Sequence, residues 1–539
     1  MSRLAISLIL AALAANAQIS STSPARAYRI SGTVVNASTG QVLSKMAVSV
    51  GPAEGGSATT VTSAEDGHFT FGKLKPGKYW LEAQGHGFSQ QRFDQHEEFS
   101  TAIAVGPGLD SEHLVFRLRP DARITGTITD DGNEPVAQAN VMLFRTGVEA
   151  GVNTTQTRGQ TNTDDQGSYH FGHIAPGNYY IAVSGRPWYA QNQAQVQGSI
   201  GKIAASAEEM GREFDVTYPV TYYPGVTDPA AATPLVVKQG DRVEANIELT
   251  AVPALHVRIR ASGVDPSQGV GMNAMQQLFG NASVAVPMTF NVIGPGEFEL
   301  SGVPPGEFRL SLQTWGKNPS AREQEINLSD DSEIDAPSGS TFASVTGVVQ
   351  LESGRAVTGP ASVQLLNRST NERLSAQISA KGEFAFNTNQ VRPGQYQVSV
   401  GGVAQSLVKS LSSSGATATG HEVDIGPAAS VQLKITLSEG VGRVDGTALR
   451  DGQPSSGAMI VLVPDDLEHD SELIRRDQSD SDGTFTLYNV LPGKYRVVAI
   501  QNGWDLPWLS PGIFAPYLKA GEVVRVEPRE KYNIKVNAQ

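Results

Sequence analysis

Polar and apolar residues alternate along this chain in short runs, and five of those runs are near copies of one another. Tyr79/Leu81/Ala83, Tyr179/Ile181/Val183, Phe308/Leu310/Leu312, Tyr396/Val398/Val400 and Tyr495/Val497/Ala499 each set apolar side chains two residues apart. The residues between and beside them, such as Lys78, Glu82, Arg309, Gln397 and Arg496, are polar. A period of two with one wet face predicts strands of an antiparallel sheet covering a core. A shorter strand precedes each run, marked by Phe69/Phe71, Tyr169/Phe171, Phe298/Leu300, Phe384/Phe386 and Phe485/Leu487. Pro-Gly joins the two strands every time. It suits the central positions of a type II turn, where Pro presets φ and Gly tolerates a positive one. Gly77, Gly177, Gly306, Gly394 and Gly493 are therefore expected to determine the fold.

The spacing makes this a repeat. Gly67, Gly167, Gly296 and Gly483 each stand nine residues before the Pro, and Gly382 stands eleven before it. Other strands recur in step. An opening strand with a central Gly appears at Gly32, Gly126, Gly347 and Gly446, where a second backbone is expected to approach closely. The third copy, Leu255 to Ile259, alternates cleanly but lacks that Gly. One-face pairs follow at Val48/Val50, Val141/Leu143, Val363/Leu365 and Ile460/Leu462, and each unit closes on a run such as Leu114/Phe116/Leu118. Seven or so short strands per unit predict an all-β chain of five tandem Ig/prealbumin-like β-sandwich modules. The expected bounds are 28–119, 121–252, 253–340 (divergent), 341–438 and 439–539. The second unit carries a long insert at 185–234, with a helix expected over 200–212, and the fifth inserts Trp504 to Tyr517. Short joints around Pro120, Pro253 and Gly440 suggest an extended rod of limited freedom.

Gly67, Phe69, Phe71, Pro76, Gly77 and Tyr79, with their later counterparts, form a pattern that resembles the carboxypeptidase regulatory-like domain. The resemblance is strongest in the first, second and fifth units. It is weaker in the fourth and weakest in the third. It implies the transthyretin-like and Cna-B-type prealbumin sandwich, often grouped with carbohydrate-binding-like folds. Modules of this kind accompany catalytic or outer-membrane proteins and seldom catalyse. In the carboxypeptidases the domain trails a zinc peptidase domain, of which this sequence has no counterpart.

Composition agrees with many short strands and tight turns: 56 Gly and 30 Pro in 539 residues, with 18% charged. A formal charge of −13 and no basic run argue against a nucleic-acid partner. Arg3, an apolar run from Leu4 to Ala15 and the Ala15-Asn16-Ala17 site predict a signal peptide over 1–17. No later segment approaches 18 apolar residues, so no membrane span is expected in the mature chain. With zero cysteines there are no disulfides, and each core must hold by packing alone. The expected location is periplasmic or extracellular.

Candidate chemistry is sparse. None of the common hydrolase, zinc-peptidase or nucleotide-binding motifs occurs, so no catalytic residue is assigned. His170 and His173 are three apart, which on a strand sets them on opposite faces, and His96-Glu97-Glu98 reads as a solvated loop. Asp477, Asp480 and Asp482, ahead of Gly483, offer oxygen ligands for Ca2+, but Asp-Gly is a favoured turn dipeptide and the plain hairpin turn is the preferred reading. No other cofactor is expected. The sharper signal is aromatic. Phe88, Trp188 and Trp504 each lie eleven residues beyond the Gly of Pro-Gly, and Trp315 lies nine beyond. With Tyr222, Tyr223, Trp508 and Tyr517 from the inserts, Trp188 and Trp504 are candidates to stack on sugar rings. The competing reading is that each plugs its own sandwich or packs into a seam with the next. The function expected is a non-catalytic exported binding or spacer protein, its partner a polysaccharide or a cell-envelope protein, with carbohydrate the favoured ligand class. The alternatives are a scaffold or adhesin-like protein docking a cell-envelope partner, and an enzyme of unrecognised type.

Overall fold

The computed structural model of the chain describes residues 27–149, 151–190, 214–265, 267, 269–279, 282–315, 320–336, 342–357, 360–367, 372–387, 390–403, 407–465, 467, 473–510 and 512–539. The expected signal peptide and the expected helix over 200–212 lie outside the described residues.

Strands dominate, and they pair into sheets that enclose apolar clusters. The first cluster joins Ile30, Val34, Phe69, Phe71 and Phe116 to Val48, Val50, Leu81 and Ile103. Its first group comes from a sheet ordered His68–Leu74, Tyr28–Asn36, Leu114–Leu118, and its second from a sheet built on Ala47–Pro52 and Gly77–Gly85. Alternation is what allows this: Phe69 and Phe71 are buried while His68, Thr70 and Gly72 are exposed. Similar pairs of sheets surround clusters drawn from residues 122–249, 255–328, 343–437 and 444–536. We refer to them in order as the first to fifth sandwiches.

One pairing departs from the antiparallel expectation. The opening strand runs parallel to the closing one, with Gly32 opposite Leu114, Gly347 opposite Leu433 and Gly446 opposite Ile534. Parallel neighbours start at the same end of the sheet. The chain therefore enters a sandwich at one end and leaves at the other, as tandem units require. The central Gly belongs to this junction. A Cβ on Gly32 would stand 2.2 Å from the Leu114 carbonyl oxygen, and one on Gly446 would stand 2.4 Å from the Phe485 ring.

The Pro-Gly corner is not the expected type II turn. Gly77, Gly177, Gly306 and Gly394 have φ of 152°, 156°, 144° and 149°, far from the roughly +80° of that turn, and each begins the next strand. What the motif builds is a tyrosine latch. The hydroxyls of Tyr79, Tyr179, Tyr396 and Tyr495 donate to the carbonyls of Lys75, Ala175, Arg392 and Leu491, at 3.0, 2.7, 2.9 and 2.9 Å. The ring folds back over the corner to do so. At Gly493 a Cβ would lie 3.1 Å from the Tyr495 ring, so the absence of a side chain leaves room for the latch.

The chain does not form the expected extended rod. The fifth sandwich lies against the first through contacts about 380 residues apart in sequence, such as His96 with Gln478, and against the second where the Leu509 amide donates to the Gly151 carbonyl at 2.8 Å.

Candidate functional site

The acidic hairpin that offers oxygen ligands for Ca2+ forms a joint between the first and fifth sandwiches. Asp480 accepts from the Ala102 amide at 2.9 Å and pairs with the Lys78 ammonium. Beside it the Ser481 amide donates to the Ala102 carbonyl at 2.9 Å, and the Ser481 hydroxyl accepts from the Ala104 amide at 2.8 Å. Gln478, 2% exposed, donates to the Asp94 carbonyl at 2.7 Å and to the Thr101 hydroxyl at 2.8 Å. Asp477 accepts from the amides of Gln478 and Thr486, at 2.8 and 2.7 Å. Asp482 accepts from the Thr484 amide at 3.1 Å and from its hydroxyl. These carboxylates are thus engaged by protein donors, and among the described residues no group of His, Asp or Glu is arranged to hold a metal ion. Burial raises Asp477 to about 6 and also raises Asp480, with Lys78 opposing the shift in both. The matching turn in the second sandwich is a plain hairpin, where Asp164 accepts from the amides of Gln166 and Ser168.

The inserts serve the same end. Strand Met459–Pro464 turns Ile460 and Leu462 into the fifth core, and Met459, Val461 and Val463 outward. Trp504 and Phe514 cover that outer row. Trp504 is only 8% exposed: it stacks on His96 at 5.0 Å and 8°, meets Phe99 at 5.5 Å, and donates from Nε1 to the Gly457 carbonyl at 3.3 Å. In the second sandwich, Met142 and Phe144 are the outer row, and fully buried Tyr222 covers them with Val220. Leu278, Phe279 and Val284 of the third sandwich complete that cover, with Phe279 5.2 Å from Tyr222.

Trp504 and Tyr222 therefore present no face to a sugar, because the outward row of each sheet needs an apolar lid. Tyr223 packs against the second core, and Trp508 and Tyr517 against the lid of the fifth. Trp188 stands apart at 79% exposed, edge-on to Tyr189. The seam reading describes most of this aromatic set, and it had a signal in the sequence. Val141-Met142-Leu143-Phe144 and Met459 to Val463 are unbroken apolar runs, which mark strands covered on both faces.

His96-Glu97-Glu98 is solvated only in part: Glu97 and Glu98 are exposed and His96 is half-buried. His96 lies under Trp504, and Glu97 and Glu98 approach the Arg476 guanidinium at 2.7 and 3.7 Å. Arg476 also sits 4.4 Å over Trp508 and 5.2 Å over Phe99.

Where the three sandwiches meet, a cleft of about 790 Å³ remains. The first sandwich supplies Glu97, Glu98 and Phe99; the second supplies Arg145, Arg158, His173 and Tyr179; the fifth supplies Arg475, Arg476 and Trp508. The Trp508 ring is walled in by Arg476 and by Gly151, where a Cβ would lie 2.6 Å from it. Its Nε1 and the Nε of Arg145 are buried donors with no protein acceptor. Arg145 does donate from Nη2 to the Pro176 carbonyl at 2.9 Å. Burial raises the Tyr179 hydroxyl, and the charges of Arg145 and Arg158 pull it the other way. His173 Nδ1 lies 2.7 Å from Asp121 Oδ2 and 3.1 Å from the Ser89 hydroxyl, tying the first sandwich to the second. Of this cleft only Trp508 was a sequence candidate. The arginines come from three strands, Asn140–Glu149, Val152–Asn162 and Arg475–Gln478, and carry no local motif apart from the Arg475-Arg476 pair.

Comparison with solved structures finds similar proteins at low identity. The Bacillus anthracis TIE protein is 15% identical over 58% of this chain, with a TM-score of 0.17, and this chain spans half of its length. A Streptococcal ancillary pilin is 12% identical over 53% of this chain and 99% of its own, with a TM-score of 0.20. The shaft pilin SpaA from Lactobacillus rhamnosus GG is 8% identical over 42% of this chain and 98% of its own, again at 0.20. No curated protein sequence matches the chain. Residues 29–119 and 123–205 match the carboxypeptidase regulatory-like domain. The Gly-aromatic and Pro-Gly-x-Tyr pattern thus coincides with the two stretches, in the first and second sandwiches, that match the carboxypeptidase regulatory-like domain.

Proposed function

We propose that this chain is an exported, non-catalytic binding scaffold of five tandem sandwich modules. Its first, second and fifth modules close on one another and present a cleft to a cell-envelope partner. The observation that carries this reading is the joint at Asp480 and Ser481, whose side chains and the Ser481 amide bond the main-chain groups of Ala102 and Ala104. The insert aromatics act as lids and seams, Trp504 against the first sandwich and Tyr222 where the second meets the third. A body built this way holds distant surfaces in fixed register, which suits docking. Export is supported by Arg3, the Leu4 to Ala15 run and the A-x-A site. No helix among the described residues is long and apolar enough to cross a membrane.

The test is to immobilise the mature chain and screen envelope extracts and a glycan array for retained partners, with parallel assays for glycan and peptide hydrolysis. Retention without turnover supports the scaffold. Turnover of any arrayed glycan or peptide would sink the non-catalytic reading. A second reading, a polysaccharide platform, keeps one favourable observation: Trp188 offers an uncovered indole. Loss of glycan retention in Trp188→Ala would favour it, and equal retention would remove it.

A further inference from the structure

We infer that the cleft between the first, second and fifth sandwiches binds a carboxylate-bearing oligosaccharide, seated on Arg145 and Arg158. This rests on the scaffold reading and names the ligand class of that same cleft.

Charge is the first argument. Four arginines and two glutamates line the cleft, in a chain whose formal charge is −13. Glu97 and Glu98 both turn to Arg476, and the wall formed by the second sandwich contributes two arginines, Arg145 and Arg158, and no carboxylate. A cationic recess with low-dielectric walls concentrates its field, and in an anionic protein it draws acidic ligands to one place.

The geometry of that wall is the second. Arg145 and Arg158 line the cleft together with Tyr179. The planar fork of a guanidinium suits carboxylates, which accept paired N–H donors. The Nε of Arg145 and the Nε1 of Trp508 are in addition buried donors lacking any acceptor from the protein. Buried donors of this kind are rare, and an acceptor-rich ligand would satisfy them.

Shape selects among acidic ligands. The volume of about 790 Å³ falls in the range of sites for compact organic ligands, about 300 to 1,000 Å³. Extended peptides bind by adding to a sheet edge, with a ladder of main-chain bonds. Here the long edge strand Val152–Asn162 contributes a single lining residue, Arg158, and no segment supplies more than four in succession. Neutral sugars need an open aromatic face, and Trp508 is walled in. A short chain of uronic acids meets all three conditions.

The experiment is calorimetric titration of the whole mature chain with trigalacturonate, maltotriose and a triglutamate peptide, at low and high salt. Trigalacturonate is expected to bind, more weakly as salt rises, and the other two are not. Arg158 is exposed, so Arg158→Gln should keep the melting temperature while weakening binding at least tenfold. Absence of trigalacturonate binding, or equal binding of maltotriose, would overturn the proposal. So would an unchanged affinity in Arg158→Gln. Equal or tighter binding of triglutamate would make the ligand an acidic protein instead. Envelope partners retained by a chain that ignores trigalacturonate would leave the scaffold standing and remove this inference alone.

Discussion

Tyr495 shows what a single repeated residue does. Its hydroxyl donates to the Leu491 carbonyl inside the fifth core, and three other sandwiches repeat the bond. Tyr495→Phe leaves that acceptor unpaired, and a loss of about 1 kcal/mol is expected in urea unfolding of the fifth sandwich. The third sandwich has Phe308 at this position and no such latch. Gly446→Ala acts by crowding, since a Cβ would meet both the Phe485 ring at 2.4 Å and the Ile534 carbonyl oxygen at 2.7 Å. A cost of about 1–3 kcal/mol should appear in the same measurement. Gly77 differs: nothing lies within 4 Å of its Cβ position, and only its φ of 152° resists a side chain. At the joint of the second and third sandwiches, His256 Nε2 lies 2.6 Å from Asp215 and Nδ1 lies 3.3 Å from Glu299. The Asp215 hydrogen bond leads in raising His256 to about 9, against the opposing effect of burial. A raised value means the folded chain holds the proton more tightly. The stabilisation is complete below about pH 6.5 and is lost as pH rises through about 9. His256→Gln should flatten stability between pH 6 and 10, and an unchanged slope would refute this role.

At the scale of elements, the two inserts decide how the sandwiches associate. Each lays aromatics over an outward apolar row that would otherwise be wet, and each lid is completed by a neighbouring sandwich. Trp504→Ala removes a buried ring stacked on His96, and a loss of about 3–5 kcal/mol is expected for the fifth sandwich. Trp188→Ala, at an exposed site, should shift stability by no more than about 0.5 kcal/mol. Melting curves of the two variants give the contrast directly, and equal effects would contradict the lid. The element pattern itself was legible in the sequence, because alternation and Pro-Gly spacing are local. The parallel pairing of opening and closing strands was not, since about 80 residues separate Gly32 from Leu114 and no local pattern encodes direction.

For the whole molecule, the fifth sandwich returns to the first through a few polar groups from either end of the chain. Lys78→Met would leave the Asp480 carboxylate without its counter-charge at a site where its side chain is only 14% exposed. Uncompensated charge in such a place is strongly unfavourable. The joint is expected to open, with a larger radius of gyration in small-angle X-ray scattering and the individual sandwiches still folded. A scattering profile identical to that of the parent chain would mean that the joint holds without the pair.

The sequence by itself determined the all-β class, the repeated sandwich, the close approach at the opening-strand Gly and the carboxypeptidase regulatory-like pattern of the first two sandwiches. Each of these follows from side-chain period, turn chemistry or a residue that leaves room for a backbone, all carried within a few residues. The tertiary structure alone decided that Asp480 would meet Lys78, that Trp504 would lie under His96, and that Arg145, Arg158 and Arg476 would share one cleft. Those groups stand tens to hundreds of residues apart. A charge or a ring acquires its role from what folding sets against it, and for these residues that neighbour comes from another sandwich.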